Sequence, residues 1–387
     1  MIERRKTRPI KVGSVVIGGA APISVQTMTK TPTEDVKGTL EQIARAADAG
    51  ADIIRVTCDT KEAGKTLREI VKGSRLPIVA DIHYDAPLAL MALDAGIQCL
   101  RLNPGNIRQP EKISEIARRC QALGVPIRVG VNAGSLPDRK NLAGGRGEGG
   151  IPDVAQRMVD AALGHIKLLE EVGFEDIKVS LKASDVLTNI AANRLFAGLK
   201  DNRYPLHLGL TESGPTKTGS IKSAMGIGIL LAEGIGDTIR VSLVDEPEEE
   251  VRVARQILAN LQEKPTGPNL IACPTCGRLE INMVPMVAEV EEALKRVKRP
   301  INVSVMGCVV NGPGEGMHAD IGIAGGQKKG ILYRKGKVVA TMPEAELVGA
   351  LVAELVKIAA EDARLIAAGQ PLPEGIPELE AEPVLAG

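Results

Sequence analysis

The chain has 387 residues, too many for one ordinary domain and suited to a large domain with a smaller one. Its 48 basic and 48 acidic residues cancel, so no overall field draws it to nucleic acid or to an anionic membrane, and any positive charge that matters is local. Aromatic residues make up 1% of the chain and Trp is absent, which excludes stacking platforms for single-stranded nucleic acid and leaves the core to Leu, Ile, Val and Ala.

The basic start, MIERRKTRPI, is not followed by an unbroken apolar stretch, because Gly18, Gly19 and Pro22 interrupt VVIGGAAPISV. No signal peptide and no membrane span are read from the sequence, and a cytoplasmic protein is expected. There the six cysteines stay reduced, so a Cys-x-x-Cys points to metal binding or catalysis rather than to a disulfide.

IKVGSVVIGG reads as a small hairpin capping one mouth of the structure that follows. From there one unit repeats, a short β-rich run and then a longer stretch of helical periodicity. The strands are predicted at 22–28, 51–57, 76–83, 97–103, 125–132, 174–182, 204–211 and 237–243. Between the first two lies TPTEDVKGTLEQIARAADAG, with N-cap candidates Thr31 and Thr33 and with Gly50 placed to end the helix. Strands that lack clean alternation and are each followed by a helix predict a parallel sheet under helices, and eight such units predict an N-terminal (β/α)8 TIM barrel. A doubly wound sheet is the rival, but the Gly-rich turn it carries after its first strand is missing. NLAGGRGEGG (141–150) is a long Gly-rich loop of the kind that is often functional.

Near LQEKPTGPNLIA (261–272) the pattern stops, and Pro265, Gly267 and Pro268 punctuate what reads as a linker. A smaller C-terminal α+β domain follows, with helices expected over 279–298 and 343–367, strands over 301–306 and 319–324, and a hairpin across KKGILYRKGKVVA. The boundaries are 1–262 for the barrel, 263–367 for the second domain and 368–387 for a Pro- and Glu-rich flexible tail.

Two constellations carry chemistry. Residues i and i+2 of a strand point the same way, and the C-terminal strand ends of a barrel form the mouth where active sites sit. In that phase stand Arg55 and Thr57, Asp81 and His83, Arg101 and Asn103, Arg128 and Asn132, Lys178, Ser180 and Lys182, then His207, Glu212, Arg240 and Ser242. One strand arginine reads as a satisfied surface residue. Six cations in one phase need an anion, and a diphosphate or cyclic diphosphate fits the Arg forks. Asp81, His83, His207 and Glu212 are the acid/base candidates.

The second constellation is Cys273 and Cys276 in CPTCGR with Cys308 in MGCVVNGPGEG. Cys58, Cys99 and Cys120 lie in the barrel half and read as small core residues. Three thiolates without a fourth leave two readings open. One is a structural zinc site, normally closed by four Cys or His ligands. The other is an iron–sulfur cluster, most simply [4Fe–4S], whose odd ligand is Glu315 in the NGPGE loop.

The stretches PISVQTM, ADIIRVT, VADIHYD, LRLNPGN, IRVGVNAGSL, KVSLKAS, HLGLTE, IRVSL, CPTCGR and VMGCVVNGPGE resemble the IspG/GcpE family of the methylerythritol phosphate isoprenoid pathway, in its short two-domain bacterial form. The resemblance spans roughly residues 6 to 360, and NGPGE is its most specific motif. It implies reductive opening and dehydroxylation of 2-C-methyl-D-erythritol 2,4-cyclodiphosphate to 4-hydroxy-3-methylbut-2-enyl diphosphate. It also implies a [4Fe–4S] cluster on Cys273, Cys276, Cys308 and Glu315, with electrons from reduced ferredoxin or flavodoxin. Arg55, Arg101, Arg128, Lys178 and Arg240 match diphosphate-holding positions, and Glu212 matches a carboxylate used in protonation. His83, Asn103, Asn132, Ser180, Lys182 and Ser242 line the same mouth. A homodimer whose active site is shared between chains is implied as well.

The rivals are a non-redox barrel enzyme with a structural zinc domain and a non-enzymatic iron–sulfur redox sensor. Purification without oxygen separates zinc from cluster: a brown protein with a visible sulfur-to-iron absorption band is expected, and a colourless, zinc-loaded protein would overturn the cluster.

Overall fold

The computed structural model describes residues 2–82, 86–102, 109–136, 150–261, 267–276, 279, 281–308, 318–326 and 329–376. The chain divides into two compact units, Met1–Leu261 and Gln262–Gly387.

The first unit opens with the antiparallel hairpin β1 (Ile10–Val12) and β2 (Val15–Ile17). Eight parallel strands follow: β3 (Ser24–Met28), β4 (Ile53–Thr57), β5 (Ile78–Ile82), β6 (Cys99–Leu102), β7 (Ile127–Asn132), β8 (Ile177–Lys182), β9 (His207–Leu208) and β10 (Thr238–Ile239). They pair in the order β8-β7-β6-β5-β4-β3-β10-β9, and a parallel bridge from Val179 to Leu206 closes the ring between β8 and the chain entering β9. The predicted TIM barrel is therefore present, wrapped by helices α1 (Val36–Asp48), α2 (Lys61–Gly73), α3 (Ala86–Ala95), α4 (Pro110–Leu123), α5 (Gly150–Glu170), α6 (Val186–Ala197), α7 (Thr216–Ala232) and α8 (Pro247–Asn260).

Local chemistry sets the helix ends. Helix α1 starts later than Thr31 and Thr33 suggest: Asp35 is its cap, its Oδ1 accepting the Gly38 N–H at 3.0 Å, while Thr33 donates to the Thr57 carbonyl. Gly50 follows the helix with φ +99°, the left-handed turn expected of it. Strands β9 and β10 are shorter than the expected 204–211 and 237–243. The Leu206 N–H is taken by the Asp237 carboxylate at 2.9 Å rather than by a sheet carbonyl.

The two faces of the barrel strands do different work. Outward residues such as Ile54, Val56, Ile78, Leu100, Val129 and Leu181 join the helices in the main apolar core. Inward, the floor is apolar: Ile10, Val12 and Ile17 of the hairpin pack on Ile53, Val79 and Cys99, so β1–β2 plugs the N-terminal mouth as expected. Above this plug polar residues prevail among the described ones, with Met28 against the Arg55 guanidinium as an exception.

The second unit is a five-stranded sheet in the order β11-β12-β13-β14-β15. Strands β11 (Pro268–Ala272), β12 (Ile301–Met306) and β13 (Ile321–Gly325) are parallel, and β14 (Lys329–Arg334) and β15 (Lys337–Pro343) continue antiparallel. Strand β11 falls inside the stretch read as linker. Pro268 is tolerated there because it begins an edge strand, paired among the described residues with β12 alone. Helices α9 (Met283–Leu294) and α10 (Glu344–Ala367) pack Val290, Leu294, Leu351 and Leu355 against Val303 and Ile323. Helix α9 is shorter than the expected 279–298 and carries Pro285 in its first turn, where an N–H has no helical partner anyway.

Arg299 is a buried fastener of this unit. Its Nε donates to Asp362 Oδ1 and its Nη2 to Glu361 Oε2, both at 2.6 Å. Asp362 Oδ2 in turn accepts the backbone N–H groups of Lys298 and Arg299. The segment expected as a flexible tail is tied down as far as Ile376, which is buried, and the Gly375 N–H donates to the Pro300 carbonyl; residues 377–387 lie outside the described residues. Among the described residues no helix is long and apolar enough to cross a membrane. Replacing Arg299 by Met strands a fully buried carboxylate, and urea unfolding is expected to show a loss of about 3–5 kcal/mol for this unit; an unchanged midpoint would deny Arg299 that role.

Candidate active site

Strand register gathers the polar residues inside the barrel. Asp81, Arg101, Arg128 and Lys178 are consecutive partners across β5, β6, β7 and β8, and Asn132 pairs with Lys182 at the C-terminal end of β7 and β8. Arg101, Arg128, Lys178, Ser180, Lys182 and His207 are all buried. Arg55 and Arg240 complete the set with side chains 13% and 15% exposed, and Ser242 accepts from Arg240 Nη1. Gly130 makes room among them. A Cβ there would stand 2.9 Å from Arg101 Nε and 3.2 Å from Ser180 Oγ.

Among the described residues two carboxylates answer the six cations. Asp81 Oδ1 accepts from Arg101 Nη1 at 2.9 Å, and its Oδ2 lies 3.6 Å from Arg55 Nε. Glu250 lies 3.1 Å from Arg240 Nη2. Arg128, Lys178 and Lys182 have no carboxylate partner among the described residues, and Arg128 Nη1 meets only His207 Nε2, at 3.5 Å. Lys178 Nζ, Arg101 Nε, Arg128 Nε, Arg240 Nε and His207 Nδ1 are buried without a hydrogen-bond partner among the described residues. Such groups cost free energy until an anion or water meets them.

Burial and mutual repulsion act together on these groups. Burial first, then the Arg55 and Arg101 charges, pull the Arg128 guanidinium well below its ordinary value. Lys182 is pulled well down in the same way by burial and then by Arg128, Arg240, Arg55 and Arg101. Burial brings Lys178 down to about 8 and Arg55 to about 10. His207 is held neutral by burial and then by the charges of Lys182 and Arg128. An anion seated among them reverses each of these penalties.

Glu212 stands apart. It is exposed, with φ +54°, in the turn after β9, and the Thr211 N–H beside it donates to the Ala183 carbonyl just past β8. A non-glycine residue held in that conformation is a mark of functional turns. His83 and Asn103 lie outside the described residues.

In the second unit the parallel pairing of β11 and β12 sends both strands to the same sheet end. The Cys273 N–H extends the ladder by donating to the Val305 carbonyl at 3.1 Å, and Cys308 stands two residues beyond β12. Cys276 is exposed, and its carbonyl accepts the Leu279 N–H. Leu279 reaches back to the third cysteine's segment, since a Cβ on Gly307 would fall 2.7 Å from Leu279 Cδ1. Only glycine lets the two cysteine segments approach this closely. Among the described residues no three His, Cys, Asp or Glu side chains form a metal-holding group, and Glu315 lies outside them. The donor set, two thiols of one turn and a third arriving at the same sheet end, suits a soft metal centre. Cys58, Cys99 and Cys120 are fully buried, and burial pushes the Cys58 thiol up to about 12, so they are inert core residues.

Family models match both units, a GcpE TIM-barrel domain over residues 7–255 and a GcpE protein C-terminal domain over 269–357. The chain belongs to the GcpE family. Two relatives named 4-hydroxy-3-methylbut-2-en-1-yl diphosphate synthase (flavodoxin) match it nearly end to end. That of Geobacter sulfurreducens is 50% identical over 92% of this chain and 99% of its own length. That of Thermodesulfovibrio yellowstonii is 51% identical over 92% of this chain and all of its own. As the short bacterial form of this GcpE protein requires, the two family domains follow one another directly.

Glu250 and Gln26 were missed by the sequence reading. Glu250 comes from the outer helix α8, inside the run PEEE, where it looks like one more solvated helix charge. Gln26 is buried in β3 with both amide atoms unpartnered among the described residues, and its place two residues before Met28 in a barrel strand was the available signal.

Lys178 supplies a pH test. Its folded value near 8 lies below its ordinary one, so the ammonium costs stability below about pH 8 and the cost fades as pH rises past it. Anion binding needs the ammonium and runs the other way. In calorimetry with inorganic pyrophosphate, the affinity advantage of the native chain over Lys178→Met should shrink by up to about tenfold per pH unit above pH 8. A constant ratio from about pH 7 to 9.5 would remove Lys178 from the anion site.

Proposed function

We propose that this chain reductively opens 2-C-methyl-D-erythritol 2,4-cyclodiphosphate and removes a hydroxyl as water, giving 4-hydroxy-3-methylbut-2-enyl diphosphate. The observation that carries the reading is the barrel interior, where, among the described residues, six cations face two carboxylates in a GcpE-family chain. A dianionic or trianionic diphosphate supplies the missing negative charge. Arg55, Arg101, Arg128, Lys178, Lys182 and Arg240 hold it, with Ser180, Ser242, Asn132, His83 and Asn103 as neutral or switchable hydrogen-bonding groups at the mouth. Fixing the diphosphate positions the reacting carbon, and the same cations stabilise the negative charge that grows on the diphosphate oxygen as the ring opens. Glu212 is an exposed carboxylate on the mouth's rim, suited to carry a proton to the substrate.

The reaction needs two electrons that these side chains cannot supply. A [4Fe–4S] cluster on Cys273, Cys276, Cys308 and Glu315 would deliver them one at a time. Reduced flavodoxin, which the relatives' names carry, is the expected donor, with ferredoxin the other candidate. The reading includes a cytoplasmic homodimer in which one chain's cluster unit serves its partner's barrel, as the family resemblance implies. A redox sensor has no use for the six barrel cations, and a zinc-stapled barrel has no source of electrons.

The test is turnover of the cyclodiphosphate by anaerobically prepared, cluster-loaded protein with a strong one-electron reductant, followed by electron paramagnetic resonance with and without substrate. Product formation and a substrate-dependent spectrum are expected. Glu315→Ala is expected to alter the spectrum and lose most of the activity; a fully active variant would exclude Glu315, and no turnover by loaded native protein would sink the function.

A further inference from the structure

The geometry points to Glu250 as a positioning residue for the anion site: it fixes the Arg240 guanidinium and ties it to the β3 side of the barrel. The inference rests on the diphosphate reading of the barrel and adds to it a residue that does not touch the substrate.

Glu250 is 1% exposed, yet it belongs to α8, in the outer helical layer. Its carboxylate is fully engaged. Oε2 accepts from Thr27 Oγ1 at 2.7 Å and stands 3.1 Å from Arg240 Nη2. Oε1 accepts from Arg240 Nη2 at 3.2 Å and from the Leu243 N–H at 3.0 Å, with Lys30 Nζ at 3.4 Å. Lys30 Nζ also donates to the Leu243 carbonyl. One buried carboxylate thus joins β3, the loop after it, and the segment leaving β10.

The consequence falls on Arg240. Its Nη2 is held by Glu250 and its Nη1 donates to Ser242, so the side chain cannot swing. Its Nε stays buried with no partner among the described residues. An arginine fixed by its far nitrogens with Nε unused is pre-ordered for an incoming oxyanion, and the entropy of ordering it is settled before binding. Asp81 pairs with Arg55 and Arg101 further round the ring, on β4 and β6. The barrel thus has two carboxylate-anchored groups of cations, flanking the three cations that no carboxylate holds.

A fastener that merely closes the barrel between β3 and β10 would change stability and leave ligand affinity alone. A positioning residue shifts affinity, and does so only through Arg240. The decisive measurement is a double-mutant cycle on inorganic pyrophosphate binding by calorimetry, with the full chain, using E250Q, R240A and the pair. E250Q keeps one acceptor oxygen and removes the charge. Each single variant is expected to weaken binding by about tenfold or more, and the pair to be no weaker than the worse single one. With cyclodiphosphate as substrate the loss should fall on KM more than on kcat, and E250D, which keeps the charge, should recover part of it.

Additive losses, or E250Q binding pyrophosphate as tightly as the native chain or more tightly, would overturn the inference. If E250Q does not fold, E250D with R240A completes the cycle under the same two criteria. Native protein that fails to bind pyrophosphate at all would overturn the diphosphate reading and this inference with it. Native binding with additive variants would overturn the positioning role alone.

Discussion

Positive charge buried inside the barrel is the constraint from which the remaining features follow. Moving an ammonium or a guanidinium out of water costs several kcal/mol after relaxation, and like charges in one enclosure add repulsion. Asp81 offsets part of this by bridging Arg55 and Arg101 of the two strands beside its own, and Glu250 by anchoring Arg240. Arg128, Lys178 and Lys182 carry the remainder and are pulled down by burial and by one another. An anion seated among these cations would relieve that cost, which is the physical basis of the diphosphate reading proposed for the barrel.

Such an interior is possible because the apolar core lies elsewhere. The outward residues of the strands and the inner faces of the helices form one continuous shell, and the β1–β2 hairpin closes the floor on Ile53, Val79 and Cys99. The lumen is therefore free to be polar without loss of the core. Gly130 belongs to the same economy of space: its missing side chain is the room that the Arg101 guanidinium and Ser180 occupy. The cysteine unit solves a different problem with similar means. Parallel pairing of β11 and β12 delivers Cys273 and Cys308 to one sheet end, and Gly307 lets the Cys276 turn close against it.

Much of this is written in the chain. Eight alternating strand and helix signals determined the barrel, because both halves of each unit carry their own periodicity. The i, i+2 spacing of Arg55 with Thr57, or of Lys178 with Ser180 and Lys182, determined which side chains share the lumen, because a strand's pleat fixes side-chain direction locally. Cys-x-x-Cys, a third cysteine and NGPGE marked the family, and through it the metal chemistry proposed for the second unit.

What only the tertiary structure decided are the properties that depend on distant partners. Strand β11 exists because β12 offers it a ladder, whereas its own sequence, with two prolines and a glycine nearby, reads as a linker. Asp35 rather than Thr31 or Thr33 caps α1, because Thr33 is drawn to the Thr57 carbonyl of another strand. Glu250 sits in an acidic helical run that looks solvated, and only the closure of β3 on β10 turns it inward. The sequence determined that six cations share a barrel. Which of them are anchored by carboxylates and which are not is a matter of ångström distances between side chains on different elements, and no local pattern encodes it.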